Sequence, residues 1–231
     1  MTSKVAFPMQ YQNGAIITSA SNRYQIVAKI LTKDIPGFGS LLDVGCRDCV
    51  LKSYLGPDVA YKGVDLSPPQ GVPDVDEGNL EAGLPYGDGD FDVVAALDVL
   101  EHCDDIFFAF KELHRVSRRY IVINLPNEYH VAHRARFLLG RLPGKFRLDP
   151  QGYRDRHRWM FNWENLLNFI QHIRVNYAVH ITTYAVSKRP RRFLLRLALL
   201  PFARSKTLGA WSYVLLIEKQ GVSSSTEPSP S

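Results

Sequence analysis

Four residues in the first half of the chain, Asp43, Asp65, Glu101 and His102, stand where chemistry needs them. Leu41-Leu42-Asp43-Val44-Gly45-Cys46-Arg47-Asp48-Cys49 reads as a short apolar strand running into a turn at Gly45, with a helix expected from Val50 to Leu55. A strand-to-helix turn leaves backbone N–H groups facing open space, where a polar or anionic cofactor docks. About twenty residues further on, Tyr61-Lys62-Gly63-Val64-Asp65-Leu66 reads as a second strand ending in an acid. A carboxylate there suits the two hydroxyls of a ribose, since only a pair of acceptors can take both. The two signals together point to an adenosine-containing cofactor.

Those residues need elements to hold them. The spacing predicts a helix from Ser21 to Leu31, with Ile26, Val27, Ile30 and Leu31 on one face, ended by Pro36-Gly37. A strand at Phe91–Ala96 precedes a helix at Asp105–Val116, where Phe107, Phe108, Phe110 and Leu113 are expected to be buried. Arg119–Leu125 reads as another strand. Alternating strands and helices imply a parallel sheet with helices on both faces. Residues 128–161, rich in Arg, His, Tyr and Pro, are too long for a plain connection and read as a lid or binding loop. Asn162 should cap a helix over Trp163–Ile173, and strands are expected at Tyr177–Ser187 and Trp211–Lys219. The Ser/Pro-rich residues 221–231 read as a disordered tail.

Gly78-Asn79-Leu80-Glu81, Leu84-Pro85-Tyr86, Phe91-Asp92-Val93-Val94 and Leu97-Asp98-Val99-Leu100-Glu101-His102 form a series. It resembles the class I S-adenosylmethionine (SAM)-dependent methyltransferases, in the branch of quinone-biosynthesis and related small-molecule enzymes. The likeness covers Ser21 to Asn127 well and extends loosely through Asp155-Arg156-His157-Arg158-Trp159-Met160-Phe161 to Lys219. It implies a Rossmann-like fold: a seven-stranded, mostly parallel sheet, helices on both faces and a terminal antiparallel hairpin, in one methyltransferase domain over residues 1–220. It implies SAM as cofactor, with Asp43, Gly45 and Cys46 framing its methionine end. Asp65 would hold the ribose, Leu66 would pack on adenine, and Asn79 and Leu80 would line the adenine's polar edge. Asn79 replaces the usual Asp, and its amide oxygen can still accept from the adenine amine. Arg47 and Cys49 stand where the family's commonest form has glycine, which permits positive φ and close backbone approach. That replacement predicts a weaker hold on the cofactor.

Glu101 and His102 follow a strand expected beside the first, so both begin at the cofactor rim. His102 suits a general base for a hydroxyl nucleophile, and the two residues equally suit capping and ordering their loop. Methyl transfer from a sulfonium needs mainly in-line positioning. Cys46-x-x-Cys49 has the spacing of half a zinc site, and Cys103 with His102 would complete a four-ligand set. A closed metal there would fill the space of the methionine end, so no metal is expected. Asn127, Tyr129, His130 and His133 fall at the end of the fifth strand. Tyr153, Arg154, Arg156, His157, Arg158 and Trp159 form a basic-aromatic cluster suited to an anion, or to a lid packed down on Trp159, Met160 and Phe161.

Charge divides the 231-residue chain. Residues 1–133 carry 11 Lys/Arg against 18 Asp/Glu, whereas residues 134–231 carry 17 against 5. The acidic half is the cofactor half, and the basic half should meet an anionic or amphiphilic small-molecule substrate or a surface. Lys188 to Lys206 holds seven positive charges and no negative one, around an apolar run from Phe193 to Ala203. An amphipathic helix over about 190–206 would suit the face of an anionic membrane, or would pack its leucines on the sheet. No leader and no membrane span are expected, and three cysteines suit a reducing compartment, so a cytoplasmic protein, peripheral at a membrane at most, is the reading. Nucleic acid is not an expected partner, for want of a recognition motif.

The function these features favour is methyl transfer to a small-molecule acceptor, with oxygen the first acceptor atom and a quinone-type carbon the second. A SAM-binding protein working by interaction, without catalysis, is the alternative from another class. A nicotinamide dehydrogenase would require G-x-G-x-x-G, which Gly45-Cys46-Arg47-Asp48-Cys49 lacks.

Overall fold

The computed structural model describes residues 13–19, 22–142, 144–146, 156–188, 200–202 and 205–221. The basic segment at 189–199 and 203–204, Tyr153 and Arg154, the tail from 222 and the expected cap Ser21 lie outside them.

Eight strands form one sheet: β1 (Asn13–Ser19), β2 (Ser40–Val44), β3 (Ala60–Asp65), β4 (Val75–Glu77), β5 (Phe91–Leu97), β6 (Ser117–Pro126), β7 (Val179–Lys188) and β8 (Ser212–Lys219). Their order is β1-β7-β8-β6-β5-β2-β3-β4, with β8 antiparallel to both β6 and β7 and every other pairing parallel. β2 to β8 make up the expected Rossmann-like seven strands with the antiparallel hairpin β7–β8, and β1 adds an edge strand beyond β7. Neither β1 nor the three-residue β4 is visible in the hydrophobic pattern: both are set at an edge, and β4 is short as well.

Four α-helices accompany the sheet: α1 (Arg23–Asp34), α2 (Ile106–Val116), α3 (Val131–Leu138) and α4 (Trp163–Asn176). Side chains cap each start: Asn22 accepts from the Gln25 N–H, Asp105 from the N–H groups of Phe107 and Phe108, His130 from that of Ala132, and Asn162 from that of Asn165. The α1 cap is thus Asn22, one residue beyond the expected position. Val50–Tyr54 is a single 3₁₀ segment rather than an α-helix. It starts from Cys49 with no side-chain cap and is too short to repay α-helix nucleation.

Period-two alternation along the central strands divides the core. Val94 and Ala96 of β5 face one cluster with Ile121, Ile123 and Leu125 of β6, and Val93, Ala95 and Leu97 face the other with Tyr120 and Val122. α2 and α4 cover the first face, while α1 covers the second through Ile26, Val27, Ile30 and Leu31. In α2 the buried face is Ile106, Ala109, Phe110, Leu113 and Val116, and Phe107 and Phe108 stand 44% and 36% exposed. Consecutive aromatic residues lie about 100° apart on a helix, so only Phe110 can share the stripe of Ile106 and Leu113. No helix among the described residues is long and apolar enough to cross a membrane.

Strand order reverses between β2 and β5: from β2 the chain builds outward to β3 and β4, and from β5 it builds the other way. Open α/β sheets bind ligands outside the carboxyl ends of the strands at such a point. Gly45 leaves β2 there, and Asp98 to His102 leave β5.

Candidate cofactor and acceptor site

The turn after β2 keeps the backbone of a glycine-rich loop with only one glycine in it. Gly45, Arg47 and Cys49 have φ of 67°, 50° and 52°. The N–H groups of Gly45 and Cys46 both donate to Val64 O, at 2.8 and 3.3 Å, locking the turn to β3. Arg47 N–H then donates to Asp65 Oδ2 at 2.9 Å, and Ser67 N–H donates to Oδ1 at 3.1 Å. Both carboxylate oxygens are thereby oriented by backbone, and each retains lone pairs for a further donor. The Arg47 side chain is exposed. Left-handed φ costs a residue with Cβ about 1–2 kcal/mol, whereas glycine gives back under about 1 kcal/mol through the unfolded chain. Arg47→Gly, at an exposed side chain, should therefore keep or slightly raise the midpoint of urea unfolding, and Arg47→Val should lower it.

Beside Asp65, Leu66 stands 65% exposed. An exposed leucine next to an oriented carboxylate provides an apolar face for a planar ring and acceptors for its sugar. Asn79 is exposed, and its Oδ1 accepts from Glu81 N–H at 2.9 Å, while Leu80 is buried beneath it. Glu81 carries the wall onward, its Oε1 accepting from the N–H groups of Asp104 and Asp105. These residues fit an adenosine.

Asp43 lies beneath the turn, 2% exposed, with Tyr61 Oη donating to Oδ2 at 2.8 Å. Burial raises its carboxyl to about 7, against the opposing pull of the Tyr61 bond and Arg23. Its bond to Tyr61 ties β2 to β3 just before the turn. A carboxyl raised in the folded state stabilises it fully below its unfolded value, and that stabilisation is lost as pH rises from about 4 to about 7. Asp43→Asn should remove this component, so that urea unfolding shows the variant gaining on the wild type by a few kcal/mol between those pH values.

Across the switch point, Asp98 leaves β5 at φ 59°. Asn124 Nδ2 donates to its Oδ1, and Arg23 pairs with Oδ2 at 2.9 Å. Glu101 and His102 follow in a 3₁₀ turn, Leu100–His102. Glu101 is completely buried, and neither carboxylate oxygen has a hydrogen-bond partner among the described residues. Burial, and then the charges of Asp98 and Glu128, push its carboxyl well above the usual carboxylate range. His102 Nδ1 lies 3.1 Å from Arg156 O, and its ring meets that of His157 edge to face at 4.7 Å.

Residues 156–159 clamp this loop. The N–H groups of Arg158 and Trp159 both donate to Glu101 O, Arg158 Nε donates to His102 O at 2.8 Å, and Trp159 Nε1 donates to Cys103 O at 2.8 Å. Arg158 also pairs with Asp104 at 2.5 Å. Arg158 therefore serves the loop rather than the anion expected for it. Replacing it with Ala should speed backbone hydrogen exchange at residues 101–104 while leaving the sheet unchanged.

The other sequence candidates separate. Asn127 is structural, its Nδ2 donating to Thr207 O and Ala210 O. His130 is buried, caps α3 and packs on Trp211 at 4.3 Å. Tyr129 carries the guanidinium of Arg134 over its ring. Cys46 and Cys49 hydrogen-bond to each other at 3.6 Å, and Cys103 Sγ donates to Val99 O. The four-ligand set whose spacing the sequence offers is not brought together among the described residues; His102 instead groups with Glu101 and His157. Glu128, which the sequence reading passed over, sits 4% exposed with Oε1 2.6 Å from His157 Nδ1 and Oε2 3.4 Å from His133 Nδ1. Burial alone would raise its carboxyl, but these two rings hold it at about 2. Its place just past the end of β6, on the cofactor rim, was the available signal.

Residues 42–120 match the model of a methyltransferase domain. The matched stretch runs from β2 into β6 and so contains the turn, Asp65 and the Glu101–His102 loop. No curated protein matches the chain. Among solved structures, a SAM-dependent methyltransferase from Archaeoglobus fulgidus shares 18% identity, with 85% of this chain and 94% of that one covered at a TM-score of 0.50. A SAM-dependent methyltransferase described as a possible histamine N-methyltransferase, from Thermotoga maritima, shares 15%, covering 85% and 89% at 0.53. Magnesium protoporphyrin IX methyltransferase from Synechocystis, solved with bound S-adenosylhomocysteine (SAH), shares 18%, covering 85% and 81% at 0.54. At these identities the likeness establishes the Rossmann-like methyltransferase fold.

Proposed function

We propose that this protein is a SAM-dependent methyltransferase acting on a small hydroxyl-bearing molecule, anionic or amphiphilic in character. The observation that carries the reading is the preset carboxylate of Asp65, fixed by the N–H groups of Arg47 and Ser67 beside an exposed Leu66, at the sheet's switch point. Asp65 would take the ribose hydroxyls, Leu66 and Leu80 would flank the adenine, and Asn79 would meet its amine. Gly45 and Cys46 would border the methionine end, with Asp43, expected there too, buried at the end of β2 beside them. When bound, SAM supplies a methyl group on a sulfonium, which needs an in-line nucleophile and little else.

The acceptor side is formed by Glu101, His102 and the clamping segment. In the tautomer whose Nδ1–H donates to Arg156 O, Nε2 of His102 would be the nitrogen that takes an acceptor's proton. The excess of Lys and Arg in residues 134–231 supports an anionic acceptor. Calorimetric titration with SAH and, separately, NADH tests the cofactor. Heat from SAH alone supports the reading, and heat from NADH alone refutes it. Transfer of label from methyl-labelled SAM into a fractionated metabolite extract then finds the acceptor; SAH binding without any transfer would favour the non-catalytic interaction protein.

A further inference from the structure

The geometry points to a divalent transition-metal site formed by Glu101, His102 and His157. One ligand atom from each of these side chains lies within 4.8 Å of the others. Ligands around a single tetrahedral ion, with bonds near 2.1 Å, stand about 3.3 Å apart, so a small closing movement of the rings completes the set.

A second, independent observation concerns Glu101. Its carboxylate has no solvent exposure and no hydrogen-bond partner for either oxygen among the described residues. A buried carboxylate without a donor is costly and calls for a proton or a cation. The rings around it are set for the cation. His157 Nδ1 lies 2.6 Å from Glu128 Oε1, and His102 Nδ1 lies 3.1 Å from Arg156 O. Metal-binding histidines usually have a carboxylate or a backbone carbonyl beside one ring nitrogen, and Glu128 and Arg156 O are such neighbours here. Glu128 and the clamping segment 156–159 would thus act as the outer support of the site.

Two imidazole nitrogens and one carboxylate suit Zn²⁺, Fe²⁺ or Co²⁺, whereas Mg²⁺ and Ca²⁺ prefer oxygen throughout. Three protein ligands leave a coordination position open. Granted the methyltransferase reading, that position would take the acceptor hydroxyl and lower its pKa, so that its proton passes to solvent and His102, then a ligand, is not needed as the base. The cation site itself does not rest on that reading.

The test is a titration of chelator-stripped full-length protein with Co²⁺, followed by visible absorption, with Zn²⁺ as competitor. The site predicts one equivalent of Co²⁺ without a thiolate charge-transfer band, displaced by Zn²⁺. Glu101→Gln and His157→Asn should each weaken binding by at least about 100-fold, and Glu128→Gln by about 10–100-fold. Asp65→Ala should lose SAH binding and keep Co²⁺ binding, which separates the cation from the cofactor. Absence of a saturable Co²⁺ site in the wild type overturns the proposal, as does unchanged affinity in Glu101→Gln. A thiolate band would also overturn it, by placing the ion at Cys46, Cys49 or Cys103. Should a ligand variant fail to fold, the wild-type titration and Glu128→Gln decide the matter.

Discussion

Asp65→Ala should reduce affinity for SAH by at least 100-fold, on the order of 3–6 kcal/mol, because a ribose diol on a carboxylate makes two charge-assisted hydrogen bonds of about 1.5–3 kcal/mol each. The carboxylate also holds the turn, accepting from the N–H groups of Arg47 and Ser67. Part of the loss would therefore come from a looser turn, and the unfolding midpoint should fall by a smaller amount. Asp65→Asn separates the two effects. Its amide oxygen can keep one backbone bond, while its NH₂ group faces donors where the carboxylate offered acceptors. Calorimetry should place the Asn variant between wild type and Ala. Equal SAH affinity in wild type and Asp65→Ala would remove the ribose from this carboxylate.

Gly45→Val should destabilise the fold by about 3 kcal/mol and abolish SAH binding. Left-handed backbone accounts for about 1–2 kcal/mol of this, at φ 67°, and is least tolerable for a β-branched side chain. Overpacking adds about 1–3 kcal/mol, since a Cβ here would stand 2.6 Å from Val99 Cγ2. Val99 is itself β-branched and stiff, and it lies in the segment that carries Glu101 and His102, so relief would move the acceptor side. Gly37 supplies the control: its φ is 73°, and a Cβ there meets nothing within 4 Å. Gly37→Val should incur the backbone cost alone and leave SAH binding intact. If the two variants unfold at the same urea concentration, the Gly45–Val99 approach has no energetic weight.

How far the sequence disclosed this molecule depended on whether a feature is local. The central strands were legible because their alternation reports two buried faces at once, as Val93 to Leu97 shows. Helix starts were legible where a capping side chain is present, at Asp105 and Asn162. β1 and β4 escaped, since edge pairing leaves little periodic trace. Residues 131–138, taken as part of a loop, form a helix with no buried residue, and so carry no apolar stripe to read. The candidate cofactor residues Gly45, Asp65 and Asn79 could be picked out because they follow strand ends in chain order. Arg47 and Cys49 read as losses of glycine, yet both keep the left-handed backbone, so the turn retains its shape at the expense of strain. Of the proposed acceptor side, only part could be read in the sequence. Glu101 and His102 announced themselves, but their partners lie far along the chain: Arg156 and His157 are brought in by the clamp, and Glu128 by the end of β6. Contacts across fifty residues leave no spacing to recognise. For the same reason Arg158 and Trp159 looked like a ligand surface while their donors were committed to Glu101, His102 and Cys103.

The most direct test of the central claim is a crystal structure of the protein with SAH. The ribose hydroxyls should lie within hydrogen-bond distance of both Asp65 oxygens, with adenine on Leu66 and the amino-acid end over Gly45. A ligand bound away from Asp65, or a turn closed by the Arg47 side chain with SAH excluded, would contradict the account.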